Sequence, residues 1–266
     1  MMYLGGKATV AKPIARFFAA QTTRSYWEPF VGAASVIAEM PPSWIRYGSD
    51  LEQSMIILLQ AVQTGWKPPL VTERMRCQLR EKNDPLDPCT AVAKFGCSFR
   101  GRAWGGYTYK SAKQNFALTA RNTLIKLAPK IRDVIFKFSD YLTAGISADL
   151  IYCDPPYKDT YSVGCKSDFN HAQFWEWASK QESLIAVTER SAPAGWVKVW
   201  YKVKNQGFKN RDGTYLAERL WLREDQLPRW NRDLKTSVRC WNLNPLLVDR
   251  MRKKRAMVEN RIGALP

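Results

Sequence analysis

Two hydrophobic rhythms alternate along the chain. Short runs rich in β-branched and aromatic residues predict strands: "SYWEPF" (25–30), "WIRYGSD" (44–50), "VIFKFS" (134–139), Leu150 to Cys153, and "SLIAVT" (183–188). Between them, apolar residues recur at three- and four-residue spacing and predict helices in "GAASVIAEM" (32–40), "EQSMIILLQAVQ" (52–63) and "HAQFWEWASKQE" (171–182). Strands and helices alternating through short connections predict an α/β fold with a Rossmann-like, mostly parallel sheet. Two later runs, "WVKVWYKV" (196–203) and "TYLAERLWL" (214–222), flank a turn-rich segment and are expected to supply an antiparallel edge. The middle of the chain breaks this rhythm. Pro68, Pro69, Pro85 and Pro88 surround a charged helical stretch, followed by "KFGCSFRGRAWGGYTYK" (94–110) and a helix-like run from Ser111 to Leu127. The expected organisation is therefore a sheet domain built from 1–60 and 131–226, a small, mainly helical insert over 61–130, and an extension over 227–266.

Charge sharpens the division. Of the net +17, residues 61–130 carry +9 (13 basic, 4 acidic) and residues 227–266 carry +7 (10 basic, 3 acidic), leaving +1 for all the rest. Two basic segments on a balanced frame point to a polyanionic partner, with nucleic acid favoured. The 45% apolar content and 11 tryptophans predict a packed core. No apolar stretch approaches the ~20 residues of a membrane helix, so no membrane partner is expected. The N-terminal stretch is interrupted by Lys12, Pro13 and Arg16 and does not read as a signal peptide. Six cysteines without a CxxC pair, and a single histidine, predict reduced thiols in a cytoplasmic setting and no metal site. Nothing in the sequence calls for an obligate protein partner.

The candidate chemistry lies where strands end. In "DLIYCDPPYKDTY" (149–161) an apolar run stops at Asp154, Pro155, Pro156 and Tyr157. Neither proline can donate to a ladder, so an acid and a phenol are left at the carboxyl end of a strand, where open α/β sheets bind ligands. In "EPFVGAAS" (28–35) a strand runs into a glycine turn at Gly32, where the backbone can approach a ligand. Asp50 ends the next strand eighteen residues later, near the ~20-residue spacing at which an acid reaches a ribose hydroxyl pair. "GGK" near the N-terminus lacks the other residues of a P-loop, and Cys89, with the acids Asp84 and Asp87 close to it in "NDPLDPCT", reads as structural.

"YLGGK" (3–7), "EPFVGAAS", "SD" (49–50), "FRGRAWGGY" (99–107) and "DPPY", in that order, resemble Dam-type DNA adenine-N6 methyltransferases, and the short phage-encoded members most of all. The similarity runs from about Tyr3 to Leu222. It implies a Rossmann-like sheet dependent on S-adenosylmethionine (SAM), interrupted by a target-recognition insert. It further implies methyl transfer to the N6 amino group of adenine in double-stranded DNA, at a short site such as GATC, in a bacterial or phage-infected cell. Tyr3, Lys7, Phe30, Gly32, Asp50, Asp140 and Asp154 would line the cofactor site, with Asp50 on the ribose and Asp140 near the cofactor's adenine. The sequence departs from the family at Ala34, where glycine is usual, and the extra methyl is expected to crowd the cofactor.

An adenine amino group is a poor nucleophile because its lone pair is delocalised into the ring. Asp154 and the Pro155 carbonyl, on a backbone stiffened by Pro156, would accept its hydrogens, while Tyr157 stacks on the flipped base. Within the insert, Arg100, Arg102, Trp104 and Tyr107 are the expected DNA contacts, on a glycine-rich loop flexible enough to approach the duplex. Two other readings share much of this pattern: amino methylation of cytosine N4 or of RNA, and an inactive basic nucleic-acid-binding protein.

Overall fold

The computed structural model describes residues 6–107, 115–157, 169–203 and 217–230. Seven strands form one sheet: β1 (Ser25–Glu28), β2 (Ile45–Asp50), β3 (Val134–Phe138), β4 (Leu150–Cys153), β5 (Leu184–Thr188), β6 (Trp196–Val203) and β7 (Ala217–Arg223). Their order is β3-β2-β1-β4-β5-β7-β6. The first five strands pair in parallel, and β7 pairs antiparallel to both β5 and β6. The strand order reverses between β1 and β4. This is the switch point at which open α/β sheets bind ligands beyond their carboxyl ends.

Both faces of the sheet are covered, which explains why β4 and β5 are apolar almost without interruption. On one face Tyr26, Leu150, Tyr152, Leu184, Ala186, Leu220 and Leu222 meet α1 (Ala11–Ala19) and α2 (Gln53–Gln63). On the other, Trp27, Ile151, Cys153, Ile185 and Val187 meet Tyr141 and α6 (His171–Ser179). Pro13 is tolerated in the first turn of α1, which needs no intrahelical donor there, and Phe17 and Phe18 on its inner face pack against Trp230. Gly48 of β2 is the residue that fits between Phe136 and Val31, since a Cβ there would lie 3.0 Å from each.

Capping chemistry sets the helix ends. Asn170 accepts from the Gln173 N–H at the start of α6. Three further helices occupy the middle of the chain: α3 (Glu73–Lys82), α4 (Pro88–Ala91) and α5 (Phe116–Leu127). Their caps are Thr72, Asp87 and Asn115, each accepting from a backbone N–H in the first turn. The expected insert at 61–130 begins inside α2, and its buried residues (Val71, Val92, Phe95, Ala120 and Leu124) belong to the same apolar cluster as the sheet.

One expected helix does not form. "GAASVIAEM" folds as consecutive turns with a single 3-10 turn at Ile37–Glu39. Gly32 and Ala34 both take left-handed backbone angles (φ +46° and +57°), and two such residues in three positions stop a right-handed helix from starting. Glu28 adds a competing acceptor, its Oε2 receiving the Ile37 N–H at 2.9 Å. The Ala34 methyl is fully buried in the core, so its cost lies in backbone strain and not in crowding of an open pocket.

Opposing terms set the cost of changing Ala34. Glycine would relieve ~1–2 kcal/mol of left-handed strain, lose ~0.8 kcal/mol of methyl burial and gain unfolded-state entropy worth ~0.4–1 kcal/mol. Ala34→Gly should therefore change stability by less than about 1 kcal/mol in urea unfolding. Ala34→Val, β-branched at positive φ in a packed site, should destabilise by more than ~2 kcal/mol.

Candidate active site

Reading β1, β4 and β5 towards their carboxyl ends, and β7 towards its start, one face of the sheet changes from apolar to polar within one residue pair. Tyr26 gives way to Glu28, Tyr152 to Asp154, Ala186 to Thr188 and Leu220 to Glu218. Side chains two residues apart share a face, so these four polar groups rim the same edge of the core. Lys7, just ahead of α1, reaches into them. Its ammonium lies 2.7 Å from Asp154 Oδ1 and 3.4 Å from Glu218 Oε2, and 4.7 Å from the centre of the Tyr157 ring.

Asp154 Oδ1 also accepts from the Thr188 hydroxyl at 2.7 Å. With that proton committed, Tyr152 is the donor in its 3.0 Å contact with Thr188. Among the described residues both donors to Asp154 therefore reach one oxygen. Asp154 keeps 15% exposure, against 4% for Lys7 and 3% for Glu218, so its carboxylate is the one a ligand can reach. Pro155 is buried and Pro156 exposed, and the Tyr157 hydroxyl donates to Glu218 Oε2.

Burial raises the Asp154 carboxyl above the ordinary aspartate range, with Lys7 pulling it down and Glu218 pushing it further up. For Lys7, burial opposes the charge, but Asp154 and Glu218 together outweigh it and raise its pKa, so the ammonium stays protonated. Glu28 is driven well above the carboxylate range by burial, against hydrogen bonds from Tyr26 and Ile37. Among the described residues, the rim thus brings the carboxyls of Asp154 and Glu218 to the Lys7 ammonium, with Glu28 one strand away.

A second locus adjoins the ends of β1 and β2. Asp50 Oδ2 accepts from the Gly32 N–H at 2.8 Å and its Oδ1 from the Glu52 N–H at 2.9 Å. Burial lifts its carboxyl to about 6, with those two donors pulling the other way. The Phe30 ring lies 5.4 Å from that of Tyr141, next to Asp140, whose Oδ1 accepts from the Leu142 N–H. The structure thus joins Lys7, Asp154 and Tyr157 in one cluster and Gly32 and Asp50 in a direct bond. Tyr3 lies outside the described residues. Sequence reasoning missed Thr188 and Glu218. Both sit on predicted strands at positions whose inward parity could have flagged them.

The loop carrying Arg100, Arg102, Trp104 and Tyr107 is a separate locus, and it is fastened. Ser98 and Tyr107 form an antiparallel bridge, and the Phe99 N–H donates to the Gly106 carbonyl at 2.9 Å. Arg76 of α3, nearly buried, donates to Ser98 Oγ at 3.2 Å and to the Gly105 carbonyl, with its guanidinium 5.7 Å from the rings of both Trp104 and Tyr107. The Tyr107 hydroxyl donates to the Val71 carbonyl. Trp104 and Tyr107 thus pack inwards, while Arg100, at φ +58°, is exposed beside Phe99. Cys89 is raised to about 11 by burial and by Asp87, far from a thiolate nucleophile.

The mostly parallel seven-stranded sheet with its antiparallel edge is consistent with a Rossmann-like methyltransferase fold, and the sequence comparison bears on the class. Residues 101–220, just under half of the chain, match the family model of the D12 class N6 adenine-specific DNA methyltransferases, which supports an adenine-specific DNA methyltransferase. No curated protein matches the sequence. Among solved structures, one described as "Putative methyltransferase yhhF from Escherichia coli" is 13% identical, with 81% of this chain and 85% of that one covered at a TM-score of 0.36. Among the described residues no helix is long and apolar enough to cross a membrane.

Arg76 is the fastening that can be removed alone. Arg76→Ala strands the Gly105 carbonyl and removes a donor from Ser98 Oγ, which keeps its own bond to the Lys94 carbonyl, and should destabilise by about 2–3 kcal/mol. Hydrogen exchange should show the Phe99 and Gly105 amides losing protection before those of β4.

Proposed function

We propose that the chain transfers a methyl group from SAM to the N6 amino group of adenine in double-stranded DNA, at a short site of the GATC kind. The observation that carries this reading is Asp154. It stands at the switch point with one oxygen fastened by Lys7 and Thr188 and with residual exposure for a donor. The family match supports SAM-dependent DNA adenine methylation in general.

The residues fit a sulfonium cofactor. Gly32 brings left-handed backbone without a side chain up to Asp50, whose carboxyl suits a ribose hydroxyl pair. Phe30 and Asp140 complete an aromatic and polar wall, and the sequence resemblance assigns Tyr3 to the same site. SAM supplies an electrophilic methyl group on positive sulfur. The protein's part is to prepare the nucleophile.

Asp154 and the Pro155 carbonyl accept the two amino hydrogens, and this favours a pyramidal nitrogen whose lone pair leaves the ring. No covalent intermediate is required; positioning and charge stabilisation suffice. As the N–C bond forms, the nitrogen must lose a proton. Asp154, whose pKa is raised by burial, is a stronger base than an exposed aspartate and can carry it. Pro156 holds the turn rigid, and Tyr157 offers its ring to the flipped base. In this reading Arg100, exposed beside Phe99, and Arg102 meet a base edge or phosphate, while Trp104 and Tyr107, packed on Arg76, hold the loop that carries them. The sheet segments 1–60 and 131–226 form the catalytic part in this reading, 61–130 the recognition part and 227–266 a basic extension.

The deciding experiment is Asp154→Ala, assayed by methyl transfer to DNA from a methylation-free host. Turnover should fall below a hundredth of wild type, on the scale of removing a preorganised charge-stabilising group, while SAM is still bound. Retention of even a tenth of the activity would remove Asp154 from this role.

Asp50 predicts a pH dependence. Its ionised form is the acceptor for ribose hydroxyls, and protonation near 6 converts it in part to a donor. SAM affinity measured by calorimetry should therefore weaken as pH falls through about 6, and Asp50→Asn should flatten that limb.

A further inference from the structure

Glu218 is the member of the rim that the strand pattern passes over. Along β7 the inward positions are Glu218, Leu220 and Leu222, so a carboxylate stands where its own strand otherwise places leucine. Burying a charge at such a position opposes folding unless its partners compensate, and an apolar side chain of similar volume would often serve stability better. The reason for a glutamate must therefore lie in what it touches. Its Oε2 accepts from the Tyr157 hydroxyl and lies 3.4 Å from the ammonium of Lys7, which is itself 2.7 Å from Asp154.

We infer that Glu218 is a positioning residue: it anchors the Tyr157 ring by its hydroxyl and shares the Lys7 charge, so that Asp154 remains a strong acceptor for the target amino group. The inference rests on the reading of Asp154 and Tyr157 given above. The Tyr157 ring is gripped twice, by Glu218 at its hydroxyl and by the Lys7 ammonium over one face. Lys7 held by both carboxylates cannot commit fully to Asp154. Without Glu218 it would, and Asp154 would accept the amino hydrogens less strongly.

A pH readout separates this role from plain packing. Among the described residues, Asp154 interacts with Lys7 ahead of α1, Glu28 on β1 (itself bonded to Tyr26), Tyr152 and, across the sheet, Cys153 on β4, Tyr157 beyond β4, Thr188 on β5 and Glu218 on β7. Glu28, the three tyrosines and Cys153 are all pushed well above their ordinary values, chiefly by burial, and Lys7 keeps its charge. Glu218 pushes Asp154 upwards, so removing its charge should let Asp154 ionise at lower pH.

The test uses the full chain, labelled SAM and DNA from a methylation-free host. Glu218→Gln should lower kcat roughly tenfold or more while KM and Kd for SAM stay within about threefold, and should move the acid limb of kcat to lower pH. Tyr157→Phe should lower kcat less, and the double variant should fall short of the product of the two effects, because they share one hydrogen bond. Glu218→Met fills the space without the charge and should be at least as thermally stable as wild type, yet as slow as Glu218→Gln. Wild-type kcat in Glu218→Gln overturns the inference. So does a loss matched by an equal loss of SAM affinity with the acid limb unmoved. An active Asp154→Ala would instead sink the reading beneath it, whereas an inactive Asp154→Ala beside a fully active Glu218→Gln would sink only the role of Glu218.

Discussion

The rule that side chains alternate across a strand governs the whole site. Because Tyr26, Tyr152, Ala186 and Leu220 must all face the same core, the residues two positions further towards the carboxyl edge must face the same way. Glu28, Asp154, Thr188 and Glu218 are therefore assembled by the register of the sheet and need no loop to bring them together. A one-residue slip of β4 would turn Asp154 to the opposite face and put Cys153 in its place. The core that stabilises the fold and the rim that carries the chemistry are thus fixed by one set of backbone hydrogen bonds.

The middle of the chain obeys a different constraint. Among its described residues the Ser98–Tyr107 bridge stands in place of a strand ladder, and its glycines at 101, 105 and 106 would by themselves leave a mobile loop. One buried guanidinium fastens that loop. Arg76 offers several fixed donors in a plane and a flat cationic face, so it can bond the Ser98 hydroxyl and the Gly105 carbonyl while two aromatic rings pack against it. Lysine could not make that set of contacts from a single position. The expectation of a flexible loop failed because α3 looked, from its charge, like a solvated helix, whereas one of its arginines is a core residue.

Two signals made the strands legible: burial on both faces leaves β4 apolar throughout, and β-branched and aromatic residues mark the edge strand β6, so that the runs at Leu150 to Cys153 and at 196–203 match both in full. Asp154 was legible because two prolines end a strand abruptly. Thr188 and Glu218 were not, since a threonine and a glutamate at strand ends look like ordinary edge residues until the neighbouring strands are known. "GAASVIAEM" misled because its helical spacing of apolar residues is real, yet local backbone overrides it. No propensity argument assigns a left-handed angle to Ala34, an alanine, when the turn that imposes it is set by the Gly32 bond to Asp50 and the Ile37 bond to Glu28.

The position of the charges also explains why the rim tolerates them. Lys7, Asp154 and Glu218 are each desolvated, and an isolated pair at such depth would usually weaken a fold. Here each lies at the end of an element and not at its middle: Lys7 before α1, Asp154 just past β4, and Glu218 near the start of β7. The cost of burial therefore falls where few ladder bonds depend on it, and the apolar pairs one step inward, such as Tyr152 beside Phe18, carry the packing. Hydrogen bonds from Thr188 and Tyr157 supply what water would have given the carboxylates. A rim built this way keeps its charged groups poised at the surface of a stable core, which is the condition under which a carboxylate stays both fixed in place and available to a ligand.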